Sequence, residues 1–175
     1  MVMRIRLEGQ AAIAAMFKAR PAQIRRASRK TVRTVTNRLH RELGGQIPRA
    51  NSTPVVGYRK IRAKKKTPRG RGQSSFGSVW MGTNRIAARY AGRLRNNKSR
   101  GGASAGKHFF ENAFVAKMSN GYESIWKRMD DGKLKQQYVE LPNARAIAEQ
   151  AADKARRELK LLLRKNMEIE MNKGK

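Results

Sequence analysis

The sequence predicts an α+β fold in which basic helices come first, a small antiparallel β-sheet follows, and a long helix ends the chain. Three observations lead to this prediction. Apolar residues recur at steps of three and four from Pro21 to Leu43, Asn120-Gly121 separates two stretches of strand character, and a second helical stripe runs from Asn143 to about Met171. A chain of 175 residues can bury one modest core, so we expect a single domain over residues 1–175.

Residues 1–66 should form the basic helical part. Pro21 suits the first turn of a helix that ends at Gly44-Gly45, and a shorter helix over Gln10 to Lys18 should precede it. Ser52 or Thr53 before Pro54 has the pattern of a helix cap, which predicts a short basic helix from there to about Lys66. The outer face of the first helix is basic and includes Arg25, Arg26, Arg29, Lys30, Arg33 and Arg41.

Two segments rich in glycine and arginine, 67–77 and 92–107, show no periodicity, and we expect flexible basic loops there. The sheet should occupy residues 78–141. It should begin with a strand over Ser78–Thr83, and one helical turn is expected at Ile86–Tyr90.

The clearest strand signal is a hairpin. Ala113–Met118 and Tyr122–Met129 flank Asn120-Gly121, the preferred residue pair for a tight turn, and alternation places Tyr122, Ser124 and Trp126 on one face. A further strand is expected over Gln136–Leu141. Pro142 should stop it, and the C-terminal helix should occupy residues 143–171 with Asn143 as its cap.

Charge is distributed unevenly along the chain. The formal net charge is +29, from 41 Lys and Arg and 12 Asp and Glu. Residues 1–110 carry 27 basic and 2 acidic residues, a charge of +25, whereas residues 111–175 carry 14 and 10, a charge of +4. Such a charge favours a polyanionic partner, either nucleic acid, an acidic protein surface or an anionic membrane. We expect the N-terminal half to face that partner and the C-terminal half to be the scaffold.

Few residues suggest catalysis. The chain has no cysteine, which excludes disulfides, thiolate chemistry and the commonest zinc ligands. His40 and His108 lie far apart and fit surface or packing roles, and Asp130-Asp131 fits a solvated turn. Gly70-x-Gly72 lacks the strand and helix that a dinucleotide site needs. We predict that the protein is not an enzyme and has no cofactor or metal.

A membrane partner is not expected. No apolar run is long enough to span a bilayer, and no cleavage site follows the weak N-terminal resemblance to a signal peptide. The apolar faces of the basic helices also lack the Trp and Phe that membrane-surface helices commonly use. We expect the protein to stay in the cytoplasm of the cell that makes it.

Basic side chains without compensating acids are the candidate binding residues. Each phosphate that they neutralise releases a counterion, which favours binding entropically, and the contacts should be with backbone and not with sequence. A solvated run that only aids solubility is the alternative for any single run. Aromatic residues do not alternate with bases within these runs, so stacking on single strands has weak support. The candidates are Arg59, Lys60, Arg62, Lys64, Lys65, Lys66, Arg69, Arg71, Arg93, Arg95, Lys98 and Arg100.

The aromatic side chains are a separate candidate binding face. Their positions on predicted strands favour core packing instead. A small sheet also leaves edges to which a neighbouring subunit could pair. The aromatic residues are Trp80, Phe109, Phe110, Phe114, Tyr122 and Trp126.

Four short motifs follow one another between Phe109 and Pro142: Phe110-Glu111-Asn112-Ala113-Phe114-Val115-Ala116, Asn120-Gly121, Ile125-Trp126-Lys127-Arg128 and Val139-Glu140-Leu141-Pro142. Together they resemble the phage minor tail protein Z family. The helix that contains Thr36-Asn37-Arg38 is similar to the opening helix of that family. The sequence departs from the pattern where Glu111-Asn112 replaces a Pro-Gly pair that is common before Ala-Phe.

The resemblance implies a non-enzymatic minor tail or tail-completion protein of long-tailed bacteriophages, which acts at the head-proximal end of the tail. It implies a virion protein, present in the host cytoplasm during assembly, that forms a homo-oligomeric ring, sixfold to match the tail tube. Tail tube, tail terminator or neck proteins would be its neighbours, and the basic arms could hold the end of the double-stranded DNA. A general basic nucleic-acid-binding protein, associated with ribosomes or the nucleoid, fits the charge equally well and stays open as the alternative.

Overall fold

The computed structural model describes residues 1–6, 21–68 and 76–173 and has the α+β fold that the sequence predicts. These residues form three α-helices, which are α1 (Pro21–Ala50), α2 (Val55–Arg62) and α3 (Ala144–Asn172). They also form eleven strands, which are β1 (Val2–Arg6), β2 (Ala63–Lys66), β3 (Phe76–Met81), β4 (Arg85–Ala87), β5 (Leu94–Asn97), β6 (Gly102–Ala105), β7 (His108–Glu111), β8 (Ala113–Lys117), β9 (Glu123–Arg128), β10 (Leu134–Gln136) and β11 (Tyr138–Glu140). The predicted helix over Gln10 to Lys18 lies outside the described residues.

The chain divides into two compact units, where the sequence predicts one domain. The first, here the helical unit, comprises Met1–Leu43, Lys64–Met81 and Ala148–Lys175. The second, here the sheet unit, comprises Gly44–Ala63 and Gly82–Ile147. Both long helices contribute residues to each unit, and therefore no linker composition marks the division in the sequence.

The core of the helical unit lies between α1 and α3. Ala27 and Val32 of α1 and Leu163 and Met167 of α3 are buried together, and the partly buried Ile24 and Leu159 pack against them. Burying a side chain the size of Leu or Met contributes about 1.5–3 kcal/mol. A buried polar contact accompanies this core, since the side-chain amide of Asn166 donates to Oγ1 of Thr31 over 2.8 Å.

A three-stranded sheet with the order β1-β3-β2 completes the helical unit. Strands β1 and β3 are antiparallel, with Val2 opposite Trp80 and Arg4 opposite Ser78. Gly77, Val79 and Met81 of β3 are buried, whereas Phe76 is exposed and Trp80 is half-buried, so burial alternates along the strand. We call the face that carries Phe76, Ser78 and Trp80 the outer face of this sheet.

Gly77 determines how closely β3 approaches α1. A side-chain atom at Gly77 would overlap Oγ1 of Thr36 and lie 2.9 Å from a methyl group of Val32. Only a glycine fits between the strand and the helix at this position without a shift of one of them.

The sheet unit contains three further antiparallel sheets, with the orders β5-β6-β7, β8-β9-β10 and β4-β11. The predicted hairpin is confirmed, since β8 pairs with β9 and Phe114 lies opposite Trp126. At the turn, Gly121 has a φ of 79° and its N–H donates to the carbonyl of Met118 over 2.8 Å. The rings of Tyr122 and Trp126 meet edge to face, with centroids 6.3 Å apart, on the face that the alternation predicts.

The first helix is longer than predicted, because Gly44-Gly45 does not end it. It continues to Ala50 and includes Pro48. Pro48 has no N–H to donate to the carbonyl four residues earlier, and that carbonyl, of Gly44, accepts a bond from Nε of Arg59 over 3.2 Å. Burial of Ile47 adds a tertiary contribution that the local pattern does not show.

The predicted cap at Ser52 or Thr53 is wrong. Helix α2 starts after Pro54 without a side-chain cap bond, and the hydroxyl of Thr53 instead donates to the carbonyl of Pro48 over 3.2 Å. The helix also ends at Arg62, short of Lys66. The carbonyl of Arg62 accepts the N–H of Gly82 over 2.8 Å, and Ala63 has extended φ and ψ, so Ala63–Lys66 becomes a strand.

The segment 92–107 is not the flexible loop that its composition predicts. It contains β5, a short 3-10 helix at Lys98–Arg100, and β6, in which Ala103 and Ala105 are buried. Small residues replace large apolar ones at the buried positions, so the segment has no hydrophobic pattern that marks it as strands. In the segment 67–77, residues 69–75 lie outside the described ranges, and Phe76 and Gly77 belong to β3.

The single strand predicted over Gln136–Leu141 is two strands that belong to different sheets. Strand β10 pairs with β9, and β11 pairs with β4. The change occurs at Gln137, whose N–H donates to the carbonyl of Ile125 and whose carbonyl accepts from the N–H of Ala88. The predicted turn over Ile86–Tyr90 is likewise divided between β4 and a 3-10 helix at Ala88–Tyr90.

Replacing Gly77 with alanine should destabilise the protein. The added methyl group would overlap Thr36, and overpacking of this kind costs about 1–3 kcal/mol. Gly45→Ala is the matched control, since its methyl group would lie 3.8 Å from the nearest atom, on Arg59, and would improve helix propensity by about 1 kcal/mol. Thermal unfolding followed by circular dichroism should show a lower midpoint for Gly77→Ala and an unchanged or higher one for Gly45→Ala. Equal midpoints would show that β3 can move away from α1 without cost.

Candidate functional site

The lysine run Lys64, Lys65 and Lys66 forms the exposed part of β2, a strand at the edge of its sheet. The Nζ atom of Lys65 donates to the side-chain oxygen of Asn37 on α1 over 2.6 Å, whereas Nζ of Lys64 lies 5.9 Å from the ring centroid of Trp80. The run therefore divides between two faces, as alternation in a strand requires. Lysines on an edge strand also deter pairing with other chains, which gives the run a structural role besides phosphate binding.

The three candidates on α2 have different surroundings. Arg59 is exposed, but its Nε bonds to the carbonyl of Gly44 and thus supports the end of α1. Arg62 is half-buried, with its Nε shielded and its aliphatic stem against Gly82. Lys60 is exposed and forms no ion pair with an acid in the described ranges, so it is the most available of the three for an external anion.

Tyr58 anchors α2 from its buried side. Its hydroxyl donates to the carbonyl of Gly82 over 2.9 Å, and the side chain is fully buried. Burial raises the pKa of Tyr58 well above its ordinary value, against the smaller opposing effect of the charge on Arg62. The phenol therefore stays neutral and keeps its hydrogen atom to donate to Gly82. This bond fixes the position of α2 and of the basic residues on it.

The candidates Arg93, Arg95, Lys98 and Arg100 are all exposed, and the last three lie on β5 and the 3-10 helix that follows it. Cross-strand register places Arg95 opposite Ser104, and Ser104 opposite Phe109. The guanidinium of Arg100 lies 4.2 Å from the ring centroid of Phe109. The structure thus places Arg100 over the Phe109 ring and Arg95 two strands away, at the same register position of the sheet.

Arg69 and Arg71 lie outside the described residues. Among the described ones, sequence reasoning missed the role of Arg4, which is exposed on β1 opposite Ser78. It also missed that arginines stack on the tyrosines, because no sequence spacing indicates these contacts. The guanidinium of Arg85 lies 4.3 Å from the ring centroid of Tyr138, and that of Arg89 lies 4.4 Å from Tyr90 and 3.9 Å from Tyr122.

Acids of the C-terminal half compensate part of the basic face of α1. Arg26 pairs with Glu170 over 3.0 Å, and Arg38 pairs with Glu158 over 2.7 Å. The exposed face of α1 is therefore less positive than its sequence indicates. The lysines of β2, in contrast, form no ion pair with an acidic side chain in the part of the chain that the structure describes.

Residues considered for catalysis have local structural contacts. A ring nitrogen of His108 lies 3.1 Å from the carbonyl of Ser52, and Asp131 lies in an exposed turn where its carboxylate pairs with Lys133 over 3.0 Å. Across residues 1–6, 21–68 and 76–173, no three His, Asp or Glu side chains are grouped to hold a metal ion. No helix within those ranges has the length and apolar character needed to cross a membrane.

Comparison with known proteins returns no relative: no family model, no curated protein and no solved structure matches the chain. The candidate sites are therefore defined by their own geometry, separately in each unit. The helical unit has the exposed lysines of β2, with Lys64 beside Trp80. The sheet unit has exposed basic side chains on α2, on β5 and in the 3-10 helix after β5, with Arg100 beside Phe109.

Replacing Lys64, Lys65 and Lys66 together with glutamine should weaken binding to double-stranded DNA without unfolding the protein, because all three side chains are exposed. If each contacts one phosphate, the slope of log K against log salt concentration should become less steep by up to about 2.7. Fluorescence anisotropy with a labelled duplex at several salt concentrations measures this slope. The same charge change at Arg157, Lys160 and Lys165 on the exposed side of α3 is the control and should alter the slope less. Equal effects of the two triple variants would show that only net charge matters.

Glu170→Gln should lower stability at neutral pH by about 1–2 kcal/mol, because Glu170 is buried and accepts bonds from Arg26 and Lys173. Burial raises the pKa of Glu170, but the bond and charge of Lys173, with those of Arg26, outweigh it and hold the pKa below its usual value. A carboxyl with a depressed folded-state pKa stabilises the fold above its unfolded-state pKa and loses that contribution as pH falls through the folded-state pKa.

Urea unfolding of Glu170→Gln and the parent at several pH values should therefore show a difference that shrinks below about pH 4. The control Glu168→Gln removes an acid that is half exposed and pairs with Arg164 over 3.5 Å, and it should change stability little at any pH. A difference between Glu170→Gln and the parent that is independent of pH would contradict an electrostatic role for Glu170.

Proposed function

We propose that this protein is a structural, non-enzymatic component of a bacteriophage tail, a minor tail or tail-completion protein that acts at the head-proximal end. The observation that carries the proposal is the separation of charge. Glu158 and Glu170 of the C-terminal half pair with arginines of α1, whereas the basic side chains of β2 and β5 are exposed and form no ion pair with an acid in the described part of the chain. The separation of charge fits many binding proteins, and the resemblance of the short motifs between Phe109 and Pro142 favours a tail protein among them.

Under this proposal the basic surfaces bind an acidic neighbour or the phosphates at the DNA end. Copies of a chain with a formal charge of +29 repel one another, so a ring of such copies needs a polyanion or an acidic protein at its contacts. A homo-oligomeric ring, sixfold to match the tail tube, would then form on tail tube, tail terminator or neck proteins and not in free solution. We place the protein in the virion and, during assembly, in the host cytoplasm.

A general basic nucleic-acid-binding protein is the second candidate. It is favoured by the exposed Arg100 beside Phe109 and by the lysines of β2, which would contact any phosphate backbone. The two functions differ in where the protein is found. A tail component is a fixed part of a particle, whereas a general binder is distributed over bulk nucleic acid or ribosomes.

Quantitative mass spectrometry of gradient-purified virus particles tests the proposal. The expected result is this chain at a low, fixed molar ratio to the major tail protein, and the ratio would give the number of subunits in the ring. Finding the chain absent from particles but abundant on ribosomes or bulk nucleic acid would overturn the tail assignment. Lys64→Glu, Lys65→Glu and Lys66→Glu together should lower the yield of infective particles, whereas reversal at Arg157, Lys160 and Lys165 should lower it less.

A further inference from the structure

The outer face of the sheet in the helical unit combines aromatic and basic side chains that are far apart in the sequence. Trp80 and Phe76 lie on the central strand β3, and Phe76 is 36% exposed. Arg4 and the 56% exposed Val2 lie beside them on β1, opposite Ser78 and Trp80. On the other side, Lys64 lies over the Trp80 ring, and alternation places Lys66 on the same face.

We propose that this outer face binds single-stranded nucleic acid, with bases stacked on Trp80 and Phe76 and phosphates held by Arg4, Lys64 and Lys66. This inference does not depend on the assignment to a phage tail. The basic runs alone do not favour single-stranded nucleic acid, because aromatic and basic residues do not alternate within any run. They come together only when the three strands of this sheet lie side by side.

Charge and shape select this ligand over other occupants. The described side chains of this face include three cations and no acid, so a second copy of the chain would be repelled. A duplex presents phosphates but keeps its bases paired and stacked, out of reach of an aromatic ring on the face of a sheet. A single strand presents both unpaired bases and phosphates, and stacking platforms flanked by cations recognise it without sequence preference.

The close approach of β3 to α1 supports the site. Because Gly77, Val79 and Met81 face inward, β3 is held on its buried side and its aromatic residues are presented on the opposite side. The 5.9 Å distance between Nζ of Lys64 and the Trp80 centroid leaves the lysine able to turn toward a phosphate when a base covers the ring. Phe109, in contrast, already has the Arg100 guanidinium over its ring at 4.2 Å.

Tryptophan fluorescence tests the proposal, since the chain has two tryptophans. Trp126→Phe leaves Trp80 as the only one. Titrating this variant with an oligothymidine of about 12 nucleotides should quench Trp80, and a duplex of the same phosphate concentration should not. Once Trp80→Ala is added, a label on the oligonucleotide replaces tryptophan fluorescence as the measure of binding. Trp80→Ala should lower the affinity for the oligothymidine about 10-fold and leave the affinity for the duplex within about 2-fold. Trp80→Phe should retain most of the affinity for the oligothymidine.

Two outcomes would overturn the proposal. Equal affinity for single strand and duplex, with no quenching of Trp80, would reduce the face to a nonspecific phosphate patch. Quenching by polyglutamate but not by oligothymidine would identify an acidic protein as the occupant. The quenching comparison uses the intact Trp80 and stays informative if Trp80→Ala does not fold. Neither outcome bears on whether the chain is found in virus particles.

Discussion

Repulsion among basic side chains is the constraint on which the arrangement of this protein depends, since a chain with 41 Lys and Arg and 12 acids must compensate its charges or keep them apart. The structure does so in three ways. Acids of α3 pair with Arg26 and Arg38 of α1, arginines of the sheet unit stack on tyrosine and phenylalanine rings, and the lysines of β2 lie at an exposed edge. The lysines of β2, the exposed basic residues of β5, Lys60 and Arg4 form no ion pair with an acid among the described residues, and they are left for an external anion.

Several basic residues therefore have structural roles that their charge does not suggest. Arg59 is the clearest example, because Pro48 deprives the carbonyl of Gly44 of its helical donor and Arg59 supplies one. Arg62 packs its stem against Gly82, and Arg89 lies between two tyrosines. Such residues should tolerate substitution less well than Lys60 or Lys66, even though all of them belong to the same excess of positive charge. A binding surface on this protein is a subset of its basic residues, chosen by their surroundings.

Both units place cations beside an aromatic residue on a sheet, but the two sites differ. Arg100 stacks directly on Phe109, so the guanidinium and the ring already interact with each other within the protein. Trp80 has a lysine at longer distance and lies on a face with further exposed apolar residues. Arg100 covers a face of the Phe109 ring, whereas under the proposal the more distant Lys64 leaves the half-buried Trp80 ring for a planar ligand. This difference is the reason why the proposed single-strand site lies on β3 and not on β7.

Local sequence patterns were enough to predict the features that depend on neighbouring residues: the helical stripes of α1 and α3, the hairpin at Asn120-Gly121, and the excess of charge in the first half. These follow from side-chain periodicity, turn chemistry and composition, which act within a few residues of one another. Long-range packing sets the end of α1, the strands within residues 92–107 and the division of residues 136–141 between two sheets. It also places Arg4, Lys64 and Trp80 on one face. Each of these results depends on contacts between segments far apart in the chain, such as Arg59 with Gly44 or Gly77 with Thr36. No local pattern identifies these partners, because the packing of the whole unit sets the partner of each residue.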